Sequence, residues 1–141
     1  MIRGQRSTEK RIVESFTVPT LNAAGAFSFH KDAYINWHCT NEHFNVDEFI
    51  IANCEYPGDW DGVVERIERM NDLTITVTSV YPEDRSTFFH VTSFIKTANN
   101  KIISMDEYRA DDGDAPQWRK DKHIGLSLIH ISEPTRPRLI S

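Results

Sequence analysis

Residues 106–119, DEYRADDGDAPQWR, hold five acids, two Arg, a Gly, a Pro and a Trp in fourteen positions. Three chemistries could use such a segment: metal binding, proton transfer at the mouth of a pocket, or none beyond a charged exit from a sheet. A calcium loop needs oxygen ligands at alternate positions before its glycine. Counting back from Gly113, Asp112 fits, but Ala110 and Tyr108 occupy the next two ligand positions. The six His, at 30, 38, 43, 90, 123 and 130, form no H-x-x-x-H or H-E-x-x-H pair, so no metal site is expected. A phosphate-cradling glycine loop and a G-x-S-x-G nucleophile elbow are also missing from the sequence. Acid–base chemistry by carboxylate and imidazole is what remains.

Glu107 is the leading candidate. At the end of an apolar run and beside Tyr108, its carboxyl can be desolvated and made a general acid or base; the alternative is an ion pair with Arg109 or Arg119. His90 lies among aromatic residues, either as a hydrogen-bonded core residue or as a second acid–base group. Trp37, Tyr56, Trp60 and Trp118 can line a hydrophobic cavity or simply fill a core. Asn53 is either a buried structural amide or a donor to a substrate oxygen.

A chain of 141 residues, 39% apolar and 26% charged, suits one globular domain. Its net charge of −5 is not interrupted by a Lys/Arg cluster, which argues against a nucleic-acid partner. Nothing approaches the ~18 consecutive apolar residues of a membrane span. The polar opening MIRGQRSTEK lacks a secretory core, and Cys39 and Cys54 make neither a disulfide framework nor a zinc spacing. A cytoplasmic location is the expectation.

These residues need elements to hold them. Ile12, Val13 and Phe16 give residues 8–17 a helical stripe, and residues 20–29 read as a second short helix weakened by Gly25. Residues 33–39, AYINWHC, read as a strand. Residues 45–58 read as a helix, with Asn45 as its cap, Glu48 completing a capping box and Pro57-Gly58 as its stop. In DGVVERIERMND, Val63, Val64, Ile67 and Met70 favour helix slightly over strand. LTITVTSV alternates Leu73, Ile75 and Val77 with Thr74, Thr76 and Thr78, a strand pattern. TFFHVTSFIK is apolar on both faces, and KIISMDEY returns from it after the hairpin turn ANN, residues 98–100. Helices followed by an antiparallel meander indicate an α+β fold. A strand apolar on both faces can bury one against helices and the other against a second copy, so a homodimer is expected.

Four phrases carry a family resemblance: INWHCTNEHF, NCEYPGDW, FHVTSFIKTANNKI and DEYRADDGDAPQWR. With this order of elements, the chain resembles the nuclear transport factor 2-like, or SnoaL-like, superfamily over residues 29–125. The resemblance implies a curved antiparallel sheet wrapped around N-terminal helices into a cone with an apolar interior, and makes VVERIERM a strand. It also implies a cofactor-free protein that takes a small hydrophobic molecule. Relatives include steroid isomerases, polyketide cyclases, dehydratases and epoxide hydrolases, alongside members that only bind. On this reading Glu107 and His90 are catalytic. Trp37, Asn53, Tyr56, Trp60, Tyr108 and Trp118 shape the ligand site, with Pro116 and Trp118 folding back over the cone. The sequence departs from the family pattern at Pro19, which interrupts the first helix, and at Arg109, which stands where the family phrase has Trp.

The last stretch, GLSLIHISEPTRPRLIS, changes character abruptly. LSLIHISEPTRP resembles a conceptual translation of sequencing-adapter DNA, so the domain is expected to span residues 1–125 and residues 126–141 to form an unstructured artefactual tail.

Overall fold

The computed structural model describes residues 28–128. Their elements are β1 (Ser28–Trp37), β2 (Glu42–Asn45), α1 (Val46–Cys54), β3 (Trp60–Met70), β4 (Leu73–Pro82), β5 (Phe89–Ala98), β6 (Lys101–Asp111) and α2 (Gln117–Asp121). The helix read at 8–17 lies outside the described residues, as does the second one up to residue 27; its last two positions, Ser28 and Phe29, are strand.

One six-stranded sheet runs in the order β2-β1-β6-β5-β4-β3. Its tight turns follow from asparagine chemistry. Asn99 and Asn100, between β5 and β6, have φ of 51° and 62°, the paired left-handed conformation of a type I′ hairpin that matches strand twist. Asn71, with φ 52°, turns β3 into β4. The sheet is mixed rather than wholly antiparallel, because β1 runs parallel to β6 while the other pairs are antiparallel. After β2 and α1 the chain crosses to the far edge and works back strand by strand, so β6 arrives alongside β1 in the same direction. The fold is α+β.

VVERIERM is strand, and its helix-like spacing has a local cause. The β3–β4 register shifts between Val64 and Arg66, which makes Glu65 a bulge. A bulge adds one residue to one strand, so Val64 and Ile67, three apart, sit opposite Thr78 and Thr76 of the same β4 face.

α1 starts at a complete capping box. Asn45 Oδ1 accepts from the Glu48 backbone N–H at 2.8 Å, and Glu48 Oε1 accepts from the Asn45 N–H at 2.9 Å. Its buried residues, Phe49 and Asn53, are four apart and therefore share one face. Phe49 meets the edges of Phe29 and Trp37, each at 6.2 Å between centroids. The core comprises Ile35, Phe44, Phe49, Ile95, Ile102 and Met105. On β4 the threonines are the buried set and Leu73, Ile75 and Val77 are only half-buried, so the more apolar side of this strand faces outward. Among the described residues no helix is long and apolar enough to cross a membrane.

Candidate active site

Successive strand residues alternate between faces, and register fixes which side chains meet on the inner one. Trp37 lies opposite Glu107, Glu107 opposite Ser93, and Ser93 opposite Thr76. This makes a row across four strands. Trp37 Nε1 donates to Glu107 Oε1 at 2.9 Å, and Ser93 Oγ donates to Oε2 at 2.5 Å. Thr76 Oγ1, at the end of the row, is buried with no hydrogen-bond partner among the described residues. Among the described residues the hydrogen-bond partners of Glu107 are an indole and a hydroxyl, and neither Arg109 nor Arg119 pairs with it. Burial raises its carboxyl above the ordinary value, and the bonds from Ser93 and Trp37 recover only part of that cost. The neutral acid is favoured. Indole N–H is donor-only, so a proton on Glu107 belongs on Oε2, where Ser93 can turn its hydroxyl to accept it.

The row opens into a cavity of about 360 Å³. Trp37, Tyr56, Trp60, Val80, Phe89 and Val91 give it an apolar wall, with Glu107, Asn53 and Arg109 as polar groups beside the exposed Cys39, Thr40 and Glu42. Trp60 is the hub of the aromatic wall, 5.5 Å from Tyr56 and 5.6 Å from Phe89. Its indole N–H donates to the Pro57 carbonyl at 2.7 Å. Gly58, at φ +88°, passes so close that a Cβ would stand 3.3 Å from Trp60 Nε1; only glycine combines that conformation with that approach. Asn53 Nδ2 donates to the Phe49 carbonyl at 2.8 Å. Among the described residues this is the one hydrogen bond its side chain makes, so Oδ1 can accept from a ligand and the second Nδ2–H can donate to one.

Five of the eight anticipated residues therefore meet at one cavity: Trp37, Asn53, Tyr56, Trp60 and Glu107. The other three do not. His90 is an odd number of residues from Ser93 on the same strand, so it points to the outer face. There its Nδ1 bonds Asp112 at 2.5 Å and its Nε2 bonds Glu65 at 2.9 Å. It cannot reach Glu107. Tyr108, next to Glu107, is outward for the same reason and stacks on His38 at 4.5 Å. Trp118 is 55% exposed on α2 and meets the guanidinium of Arg119, so it does not fold back over the cavity. Sequence reasoning missed Ser93 and Arg109. Both had a signal: Ser93 interrupts the apolar series Phe89, Val91, Ile95, and Arg109 is two residues beyond Glu107. Among the described residues no three His, Cys, Asp or Glu gather closely enough to hold a metal ion.

No protein-family model matches the sequence, and no curated protein does. Solved structures do. A Kribbella flavida protein with a proposed ketosteroid isomerase activity superposes with a TM-score of 0.63 at 14% identity, covering 88% of this chain and 89% of its own. A nuclear transport factor 2-like protein of unknown function from Burkholderia xenovorans gives 0.60 at 19% identity, over 89% of this chain and 95% of its own. A Catenulispora acidiphila protein with a ketosteroid isomerase-like fold, solved with trimethylamine, gives 0.50 at 15% identity, over 72% and 82%. The fold is that of the nuclear transport factor 2-like and SnoaL-like proteins. At these identities the likeness extends to fold.

Proposed function

We propose that the protein is a small cofactor-independent enzyme, a lyase, isomerase or hydrolase, that moves a proton on a hydrophobic small molecule. One observation carries this reading: a buried carboxylic acid, oriented by two fixed neighbours, stands on the wall of an apolar cavity. Burial raises its ionisation above that of an exposed carboxylate, and a positioned carboxyl group can both accept and release a proton. Glu107 is the acid–base group, Asn53 Oδ1 receives a ligand donor, and Trp37, Tyr56 and Trp60 enclose the apolar body. His90 has no part in it.

A generic carbon acid tests the reading without knowledge of the natural substrate. In 5-nitrobenzisoxazole the Glu107 carboxylate takes the ring C–H proton, its electrons form the nitrile, and the N–O bond breaks to a coloured phenolate. Wild type is expected to accelerate this reaction, with a rate that climbs as pH rises through the Glu107 ionisation. Glu107→Gln is expected to lose ~10²–10⁴-fold, the usual worth of a positioned base. Equal rates in the two proteins overturn the assignment.

The second reading is a non-catalytic binding module. It is favoured by the hydrogen bonds already made to both Glu107 oxygens, which suit a structural acid. The trimethylamine complex of the Catenulispora protein gives that reading a ligand of small cationic type. Either way, we infer a homodimer formed through the outer face of the sheet, where Tyr34, Ile75, Val77, Phe94 and Tyr108 stand unburied or half-buried.

A further inference from the structure

Arg109 occupies a position where a cation has an unusual amount to offer. Two residues after Glu107 on β6, it shares the inner face and lines the same cavity. Its guanidinium carbon lies 3.8 Å from the centroid of the Phe89 ring, so the charge rests on the aromatic wall. Its main chain is held on both sides, since Arg109 N–H donates to Cys39 Sγ and that thiol donates to the Arg109 carbonyl, each at 3.1 Å. The guanidinium itself is under-used. Of its five N–H donors, the one bond formed among the described residues runs from Nη2 to Asp111 Oδ1 at 3.4 Å, and Asp111 is 78% exposed. Among the described residues two carboxyl groups share the cavity with it. Glu107 is buried and favours its neutral form, and Glu42 is exposed.

We propose that the cavity selects an amphipathic organic anion, a hydrophobic carboxylic acid, whose carboxylate is held by Arg109. The apolar body lies along Trp60, Phe89 and Val80, and the carboxylate takes the guanidinium fork, a geometry Arg offers and Lys does not. Residues two apart on a strand are separated by roughly 7 Å. The ligand must therefore reach along the strand from Glu107 to the guanidinium, which lies over Phe89. A small cation is the wrong charge for a wall already occupied by Arg109. This inference rests on the cavity being the ligand site, as in the reading above, and adds the class of molecule.

Binding, not turnover, tests it. Trp37 and Trp60 report occupancy through fluorescence, and 2-naphthoate can be compared with its neutral isostere 2-naphthamide and with trimethylamine at pH 7. Wild type is expected to bind naphthoate about 10–100-fold tighter than naphthamide, the worth of a charge-assisted hydrogen bond, and the preference shrinks as salt is added. Arg109→Gln is expected to abolish the preference, and Arg109→Lys to keep only part of it; thermal melts of both variants confirm folding. Equal binding of naphthoate and naphthamide by wild type overturns the inference, as does tighter binding of trimethylamine. The first of those results leaves the Glu107 reaction untouched. Conversely, a clear naphthoate preference in a protein inert towards 5-nitrobenzisoxazole upholds the anion site without the catalysis.

Discussion

Ionising Glu107 places a charge in a buried position where, among the described residues, Trp37 and Ser93 are its hydrogen-bond partners, and this makes one side chain a source of pH-dependent stability. Its folded-state ionisation lies above the ordinary value of 4.5. The neutral acid's contribution is therefore fully present below that pH and is lost as pH rises through the folded value. Glu107→Gln preserves both hydrogen bonds, since its carbonyl oxygen accepts from Trp37 and its amide donates to Ser93. In urea titrations the variant and wild type should be equally stable near pH 4. Above it, the variant should gain on wild type by about 1.4 kcal/mol per pH unit until Glu107 is ionised. A constant difference from pH 4 to pH 8 would mean that Glu107 is solvated. Ser93→Ala removes one of the two donors. It should push the pH–rate profile with 5-nitrobenzisoxazole to higher pH, an effect that a purely structural serine would not produce.

At the scale of elements, two local devices hold the walls of the cavity. The capping box starts α1, which carries Phe49 into the core and Asn53 to the cavity, so Asn45→Ala should cost about 1 kcal/mol, measured by chemical denaturation. On the outer face His90 ties β5 to the β3 bulge at Glu65 and to Asp112 beyond β6, reaching over the small Ser79 opposite it. The Asp112 hydrogen bond is the main cause that raises its ionisation above the ordinary 6.5, against a burial penalty. Stabilisation from this cluster is thus complete below 6.5 and fades as pH rises through the folded value. His90→Gln should flatten that slope and speed amide exchange along β3, while leaving ligand binding in the cavity unchanged. At 36% side-chain exposure the effect is small.

For the whole molecule, the inverted use of β4 has a consequence. With threonines inward and Ile75 and Val77 outward, the outer face keeps apolar area that a second copy would cover, about 800 Å² per partner for a standard interface. Sedimentation at tens of micromolar should show a dimer, and Phe94→Glu at the middle of that face should give a monomer. Monomer from the wild-type chain would refute this assembly. At the other end of the chain Leu126 and Leu128 are 51% and 80% exposed, and residues 129–141 lie outside the described ones. Truncation after Gly125 should leave the melting temperature within a degree or so. A fall of several degrees, equivalent to ~1 kcal/mol or more, would show that these residues pack on the domain.

Features set by neighbours in the chain were legible without the structure. Asn45 and Glu48 cap a helix because the two groups are three residues apart. Asn99-Asn100 turns a hairpin because asparagine tolerates left-handed backbone, and β4 alternates because a pleated strand does. Trp37, Asn53, Tyr56, Trp60 and Glu107 could be gathered into one candidate site by residue type and the family pattern. The sequence did not say which way each face turns. Period-two alternation separates Glu107 and Arg109 from Tyr108, and Ser93 from His90, but only strand pairing and sheet curvature decide which set looks inward. That choice turned His90 and Tyr108 out of the site and brought Ser93 and Arg109 in. The parallel pairing of β1 with β6 joins residues some seventy positions apart, beyond any local pattern. The Glu65 bulge changed the period of β3 and made a strand look helical. Local chemistry chose the elements; non-local pairing chose which of their side chains share a cavity.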